Sequence, residues 1–412
     1  MREHAEIVVI GGGQAGLCTS FFLARYGREH VVLEQGRVAE TWRTQRWESF
    51  TLNTPNWTLQ LPGHGYAGDG PDAFMPRDDV VSYLERYAEV IDAPLRPGVR
   101  VASLERTSDG YLLETSEGPL EADTVVVATG AFQRPRAPAI AGDRDPRILQ
   151  LHTSDYRSPD QLPAGAVLVI GSGQSGCQIA EELVLQGRGV YLSVGRCPWA
   201  PRRYRGRDLV HWMIDLGLMD ETVDTLPAPA ARRACNPSLT GDGGGHDCHP
   251  RTLARLGVVL VGRVEVVRRG KIHIGPDLET NLAKGDEFEE RLLERIDGYV
   301  ADAGLDVPHE PAGVEVDPKV DSIRELDCRS SGIATIIWAN GYRPDFDWIH
   351  LDAFDGDGWP VHVRGCTAFP GLYFVGLHWL HTRKSALFLG VGEDAEHVAR
   401  HIVGAPAPVT GS

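Results

Sequence analysis

Apolar and polar positions along the chain follow two recurring patterns. The run Glu6-Ile7-Val8-Val9-Ile10 is apolar after its first residue, as in a strand covered on both faces. From 14 to about 26 the spacing turns helical, and Val31-Val32-Leu33 is again a short β-branched run. Together these predict a βαβ unit. A second unit is predicted from Val167-Leu168-Val169-Ile170, a helical stretch to about Gln186, and Val190-Tyr191-Leu192-Ser193. Between the units, a helix near 78–91 and short runs at 99–101, 111–114 and 124–127 predict a small antiparallel meander. Beyond the second unit the pattern loosens over 198–250. A strand at 258–261, a charged helix over 277–303 and a strand at 333–338 follow.

The chain therefore reads as α/β, with two Rossmann-type dinucleotide-binding domains. The second, 160–330, is inserted into a discontinuous first domain, 1–155 and 335–412, with crossings within 131–165 and 327–347. The first domain regains a closing strand at 372–375 and a helix after it. A length of 412 residues suits two cores, and the stretch 404–412 predicts a frayed tail.

Composition narrows the function classes. With 57 acidic against 41 basic residues the net charge is -16, which argues against nucleic acid as a partner. No stretch approaches the roughly 18–20 consecutive apolar residues of a membrane span. The first strand starts too early for a signal peptide, so a cytoplasmic location is expected. Seven cysteines without a CxxC pair fit reduced thiols. Cys235, His246, Cys248 and His249 invite a zinc reading, but their spacing matches no standard finger and Gly243-Gly244-Gly245 suggests a loop; no metal is expected.

Each predicted unit carries a glycine motif in the right frame. Gly11, Gly13 and Gly16 follow the first strand and open the first helix, where backbone N–H groups and the helix dipole receive a pyrophosphate. Glu34 ends the next strand, where its carboxylate suits a ribose 2′-hydroxyl and repels a 2′-phosphate, so this site fits FAD or NAD. Gly171, Gly173 and Gly176 repeat the motif, with Gln174 and Ser175 inside it, but Val194 stands where Glu34 stood. Ser193 and Arg196, followed by Arg202, Arg203, Arg205 and Arg207, offer a 2′-phosphate a donor and a guanidinium, so the second site fits NADPH. Alternatively the arginines belong to a solvated loop.

Beyond the glycine motifs, Thr41-Trp42-Arg43, the stretch from Trp47 to Pro62-Gly63, Val125-Val126-Val127-Ala128-Thr129-Gly130 and Ile179-Ala180-Glu181-Glu182-Leu183 resemble the class B flavin-dependent monooxygenases, a family that includes the flavin-containing and the plant auxin-forming monooxygenases. The resemblance spans nearly the whole chain. Trp338-Ala339-Asn340-Gly341-Tyr342 looks like the family's second ATG-like segment, and Gly371 to Gly376 like its closing strand, with a helix onward to Ile402 starting beside the flavin. The resemblance implies FAD and NADPH as cofactors, with Trp42, Arg43, Val101, Gly130 and Gly390 added to the cofactor-binding residues. Ser49-Phe50-Thr51-Leu52-Asn53-Thr54 looks like the segment whose asparagine steadies the oxygen adduct, making Asn53 the catalytic candidate. A turn-forming asparagine before Thr54-Pro55 is the plainer alternative.

The implied reaction is reduction of FAD by NADPH, formation of a flavin hydroperoxide with O2 and oxygenation of a small organic substrate. The family signature FxGxxxHxxx plus an aromatic is half present: His152 and Tyr156 are in register, but Pro146 and Ile148 replace Phe and Gly. That favours N- or S-oxygenation or oxidative decarboxylation over Baeyer–Villiger chemistry. His152 either docks the nicotinamide nucleotide or is a capped loop histidine. His378, Trp379, His381, Thr382 and Arg383 either line the pocket or pack. An NADPH-dependent flavoprotein reductase or oxidase and a non-catalytic nucleotide-sensing flavoprotein are the other readings; the missing CxxC removes a disulfide reductase. Oligomeric state is open, a homodimer being one option.

Overall fold

Strands buried on both faces set the architecture. The computed structural model describes residues 3–136, 145–309 and 322–404; most of the expected tail lies outside them. The first stretch holds β1 (Glu3–Ile10), α1 (Gln14–Arg25), β2 (Val31–Glu34), α2 (Glu40–Thr44) and α3 (Arg77–Val90). It continues with β3 (Leu95–Pro97), β4 (Val101–Arg106), β5 (Tyr111–Thr115) and β6 (Gly118–Val127). Next come β7 (Leu149–His152), β8 (Ala166–Ile170), α4 (Gln174–Leu185), β9 (Val190–Ser193), α5 (Leu209–Asp215), α6 (Pro250–Arg255) and β10 (Val259–Val261). The rest is β11 (Val264–Arg268), β12 (Lys271–Ile274), α7 (Leu278–Ala303), β13 (Glu325–Asp327), β14 (Ile333–Trp338), β15 (Leu372–Phe374) and α8 (Val391–Ile402).

The first sheet runs β3-β2-β1-β6-β5-β4, with β15 also on β6. Ile7, Val8 and Val9 are fully buried, which explains the unbroken apolar run in β1. The expected antiparallel meander is present as β4-β5-β6 and is continuous with the parallel sheet. β6 is ten residues long, so its first half pairs antiparallel with β5 while its second half lies parallel to β15. One strand thus belongs to both the meander and the parallel sheet.

The second sheet is wholly parallel, in the order β7-β14-β8-β9-β10. It takes in 149–152 and 333–338, although the expected boundaries assign 149–152 to the first domain and cut through 333–338. Pairing decides the matter: β14 sits between β7 and β8, with Ile337 opposite both Leu151 and Val169. The chain leaves and re-enters the first unit at an antiparallel ladder joining Arg134–Pro135 to Tyr342–Arg343. A three-stranded antiparallel sheet, β11-β12-β13, packs Val267, Ile272 and Leu326 against Leu168, Ile170 and Ile336; nothing in the sequence pattern separated it from loop.

The loosely patterned stretch is ordered by a buried ion pair. Arg202 is 1% exposed and grips Asp208 with two nitrogens, Nε to Oδ2 at 2.8 Å and Nη2 to Oδ1 at 2.7 Å. Its third nitrogen, Nη1, donates to the backbone O of Asn53 at 2.7 Å, tying the inserted unit to the first. Asp208 also caps α5 by accepting from Val210 N at 2.9 Å. Arg202→Ala strands a buried carboxylate and should cost about 3–5 kcal/mol in denaturant unfolding. Arg202→Met with Asp208→Asn, which keeps the cap and removes both charges, should recover more than half of that loss; a double variant no better than the single would show that the pair is not the cause.

Candidate functional site

Both glycine loops have the same geometry. In the first, Gly11 N donates to Leu33 O at 2.7 Å and Ala128 N to Ile10 O at 2.8 Å. A Cβ on Gly11 would sit 2.5 Å from Ala128 O, and one on Gly16 only 1.8 Å from Gly11 O. In the second, Gly171 N donates to Ser193 O at 3.1 Å and Ala339 N to Ile170 O at 2.9 Å. A Cβ would meet Ala339 O at 2.5 Å from Gly171 and Gly171 O at 1.9 Å from Gly176. Ala339 thus does for the second loop what Ala128 does for the first. Gly13 has no atom within 4 Å of its missing Cβ, leaving an open approach to the loop.

α1 and α4 start from Gly13 and Gly173 with no side-chain cap and no acid in the first turn. Their first N–H groups and positive dipole ends are therefore available to an anion. Gln174 and Ser175 open α4, and Gln174 Nε2 donates to Pro237 O at 3.1 Å.

The strand ends differ in chemistry. Glu34 accepts from Gly12 N at 2.7 Å and Gly36 N at 2.8 Å, which fixes its carboxylate at the mouth of the first loop. Val194, its counterpart, is fully buried. Ser193 is not free for a phosphate: its hydroxyl donates to Gly262 O at 3.0 Å and accepts from Val264 N at 3.2 Å. Nor are the trailing arginines. Arg202 is in the buried pair, Arg203 donates to Gly244 O and Gly245 O, Arg205 pairs with Asp297, and Arg207 with Asp215. Arg196 alone of this set is exposed without a partner among the described residues.

The other cofactor candidates scatter more. Trp42 stacks on Phe388, their centroids 5.9 Å apart, while Arg43 pairs with Glu85 of α3. Val101 begins β4, but the contact with the end of β2 is made by Val99 N, to Glu34 O at 2.9 Å. Gly130 turns the chain after β6 with φ +77, and Gly390 precedes α8, where a Cβ would meet Lys384 O at 2.5 Å. Gln14 Nε2 donates to Ala386 O at 2.8 Å, joining α1 to the loop before α8.

Asn53 lies against the second unit. Its Nδ2 donates to Gln174 Oε1 at 3.1 Å, and its Oδ1 accepts from Gln178 Nε2 at 2.7 Å. Gln178 Nε2 also donates to Leu239 O at 2.9 Å, so the amide orientations follow from the network. Gln174 and Gln178 are four apart on one helix face, a spacing that could have singled out Gln178, which sequence reasoning missed.

Arg46 was missed as well, and no motif marks it. Its guanidinium lies 5.5, 5.7 and 5.3 Å from the ring centroids of Trp42, Phe50 and Phe132. Burial pulls its pKa down, and no carboxylate pairs with it among the described residues. Phe132 meets Tyr342 and His378 edge-on, each at 5.2 Å. His152 touches Tyr342 at 5.1 Å; it accepts from Ser154 N at Nδ1 (3.1 Å) and donates from Nε2 to Gly341 O (3.1 Å). Burial lowers its pKa. Burial also takes His378 down to about 4. Trp379 adopts φ +53, and Arg383 pairs with Glu221.

The cysteine and histidine residues once open to a zinc reading have other partners. His249 stacks on Trp199 at 5.4 Å, Cys248 is buried, and His246 Nε2 meets Glu181 Oε1 at 2.8 Å. The hydrogen bond to Glu181 raises the His246 pKa above 6.5. A raised folded-state pKa contributes stability that is fully present below the unfolded value and lost as pH climbs through the folded one. The destabilisation of His246→Gln relative to the parent should therefore be largest near about pH 6 and fade by about pH 9 in thermal melts; a gap that widens with pH would contradict the pairing.

Comparison with known proteins adds four similarities. A family model described as pyridine nucleotide-disulphide oxidoreductase matches residues 8–213. An uncharacterized CzcO-like oxidoreductase of Geobacillus kaustophilus is 31% identical over 406 residues, covering 98% of this chain and 99% of its own length. An indole-3-pyruvate monooxygenase of Oryza sativa, YUCCA1, is 31% identical over 314 residues, 72% of this chain and 76% of that one. Among solved structures, a flavin-containing monooxygenase from Stenotrophomonas maltophilia superposes with a TM-score of 0.64 at 20% identity, covering 98% and 99% of the two chains.

Proposed function

This chain belongs to the class B flavin-dependent monooxygenases, and we propose that it holds FAD at the first glycine loop and NADPH at the second to oxygenate a small organic substrate with O2. The observation that carries the reading is Asn53, bound at both ends of its amide to the helix that opens the second loop. When bound, the two cofactors supply the hydride and the oxygen-activating redox chemistry. The chain's own residues bind, orient and exclude water.

Glu34 and the open approach at Gly13 fit an adenosine ribose and pyrophosphate at the first loop, with Trp42, Gly130 and Gly390 around the flavin end. Gly173, Gln174 and Ser175 with Arg196 fit the second nucleotide. In this reading the FAD domain ends, and later resumes, at the ladder of Arg134–Pro135 with Tyr342–Arg343. Asn53 has one Nδ2 hydrogen beyond the one given to Gln174, a neutral donor for a developing oxyanion.

Arg46 favours a substrate that carries a carboxylate, because a cation held among three rings without an acid gains most from an anionic partner. Carboxylate-bearing compounds stand in the names of a relative and a structural neighbour, the indole-3-pyruvate monooxygenase and an S-allyl-L-cysteine S-oxygenase from Allium sativum, and such a substrate suits oxidative decarboxylation or S-oxygenation. The location is the cytoplasm, and a homodimer is the oligomer to test.

Two measurements test the reading. Arg196→Ala should raise KM for NADPH by roughly 10–100-fold with little change for NADH, since one charge-assisted phosphate contact is lost; equal effects on both would remove Arg196 from the 2′-phosphate site. In stopped flow, protein reduced anaerobically with NADPH and mixed with O2 should return to the oxidised spectrum through a distinct transient that Asn53→Ala shortens. Direct return with stoichiometric peroxide in the parent protein would instead make it an oxidase or reductase.

A further inference from the structure

The second glycine loop carries a feature that the first lacks. Where a Cβ on Gly13 would meet nothing, one on Gly173 would lie 3.6 Å from Cys197 Sγ and 3.6 Å from Cys235 Sγ. The two cysteines are far apart in sequence, and the fold brings their segments side by side. Trp199 and Ser238 form a parallel bridge, Ser238 N donates to Pro198 O at 3.0 Å, and Gln174 Nε2 donates to Pro237 O at 3.1 Å. The two thiol groups are in side-chain hydrogen-bond contact with each other.

We propose that Cys197 and Cys235 are a peroxide-oxidisable dithiol whose disulfide lies across Gly173 and closes the second loop to the phosphates of its nucleotide. The effect on NADPH rests on the function proposed above; the thiol chemistry does not. Cys235 is exposed and Cys197 buried beside it, so peroxide meets Cys235 first and Cys197 resolves the product. The neighbouring Cys197 S–H also stabilises a thiolate at Cys235, drawing its pKa below the ordinary thiol value. Burial works the other way on Cys18 and Cys177, each pushed up to about 12.

The reaction balances with hydrogen peroxide as the oxidant. The Cys235 thiolate attacks one peroxide oxygen, the O–O bond breaks, and hydroxide leaves, giving a sulfenic acid. Cys197 sulfur then attacks Cys235 sulfur, the S–O bond breaks, and hydroxide departs with the Cys197 proton as water. The two thiols lose two electrons and two hydrogens, and peroxide becomes two waters. Reduction by an external thiol reverses it.

The test uses the full-length purified protein with its bound cofactor. After exposure to hydrogen peroxide and alkylation of free thiols, peptide mapping should find Cys197 linked to Cys235, reversed by dithiothreitol. Cys197→Ser should leave a sulfenic acid at Cys235 that a 1,3-dione traps, and Cys235→Ser should give neither product. NADPH affinity by titration calorimetry should weaken by roughly tenfold or more on oxidation, recover on reduction and stay constant in Cys235→Ser. No linked peptide in the parent, or linkage to another cysteine, overturns the dithiol. Linkage with unchanged NADPH affinity overturns the closure. A reduced protein with no NADPH affinity would instead count against the proposed function, while the linked peptide still decides the thiol chemistry.

Discussion

At four points in the two glycine loops there is no room for a side chain, and the geometry of both loops depends on them. At Gly11 and Gly171 the backbone lies against the carbonyls of Ala128 and Ala339; at Gly16 and Gly176 the helix start lies against the carbonyls of Gly11 and Gly171. Each approach would put a Cβ within 2.5 Å of an oxygen. Strand, turn and helix are thereby locked into one angle, which brings an uncapped helix end over the strand ends. A methyl at any of the four would push the helix away and misdirect the N–H groups that, in the proposed function, face the phosphates.

Polar contacts of the segment 44–53 join the two units, alongside the apolar cluster that runs from Trp47, Phe50 and Leu52 into Ile179 and Leu183 of the second unit. Glu48 N donates to Arg157 O at 2.8 Å, Ser49 Oγ to Glu182 Oε1 at 2.7 Å, and Arg157 reaches Thr44 O. Tyr156 hydroxyl donates to the other oxygen of Glu182 at 2.6 Å, which uses the aromatic of the half-present signature to hold a helix. Asn53 is the end of this seam. Contacts of this kind exchange partners with water at modest cost, which in the proposed function suits units that adjust to a nucleotide.

The βαβ units were legible because each depends on local signals: β-branched runs, glycines at fixed offsets and a helical period. The place of Glu34 was legible for the same reason, since a strand end is a definite position. Ser193 was misjudged because a hydroxyl beside a loop looks available until β10 and β11 bring Gly262 O and Val264 N to it. The arginines after it failed likewise, their acids arriving from α5 and α7, as Asp215 and Asp297. The small sheet β11-β12-β13 closes across the whole of α7, so no local pattern announces it. Arg46 and the thiol pair at Gly173 are long-range products of folding of the same kind.

Gln178 shows what the arrangement around Asn53 costs. Its Oε1 is buried with no partner in the structure. Leaving such an acceptor unpaired costs about 1–3 kcal/mol, and an apolar residue of similar size would avoid it. The amide is nevertheless turned so that both Nε2 hydrogens are used, one on Leu239 O and one on Asn53 Oδ1. Reversing the amide would satisfy neither acceptor. Stability is given up here to hold the polarity of one side chain, and such a local conflict belongs at a functional site rather than in a packed core. The orphaned oxygen and the oriented Asn53 amide are therefore two ends of one arrangement, which in the proposed function leaves Asn53 a donor rather than an acceptor.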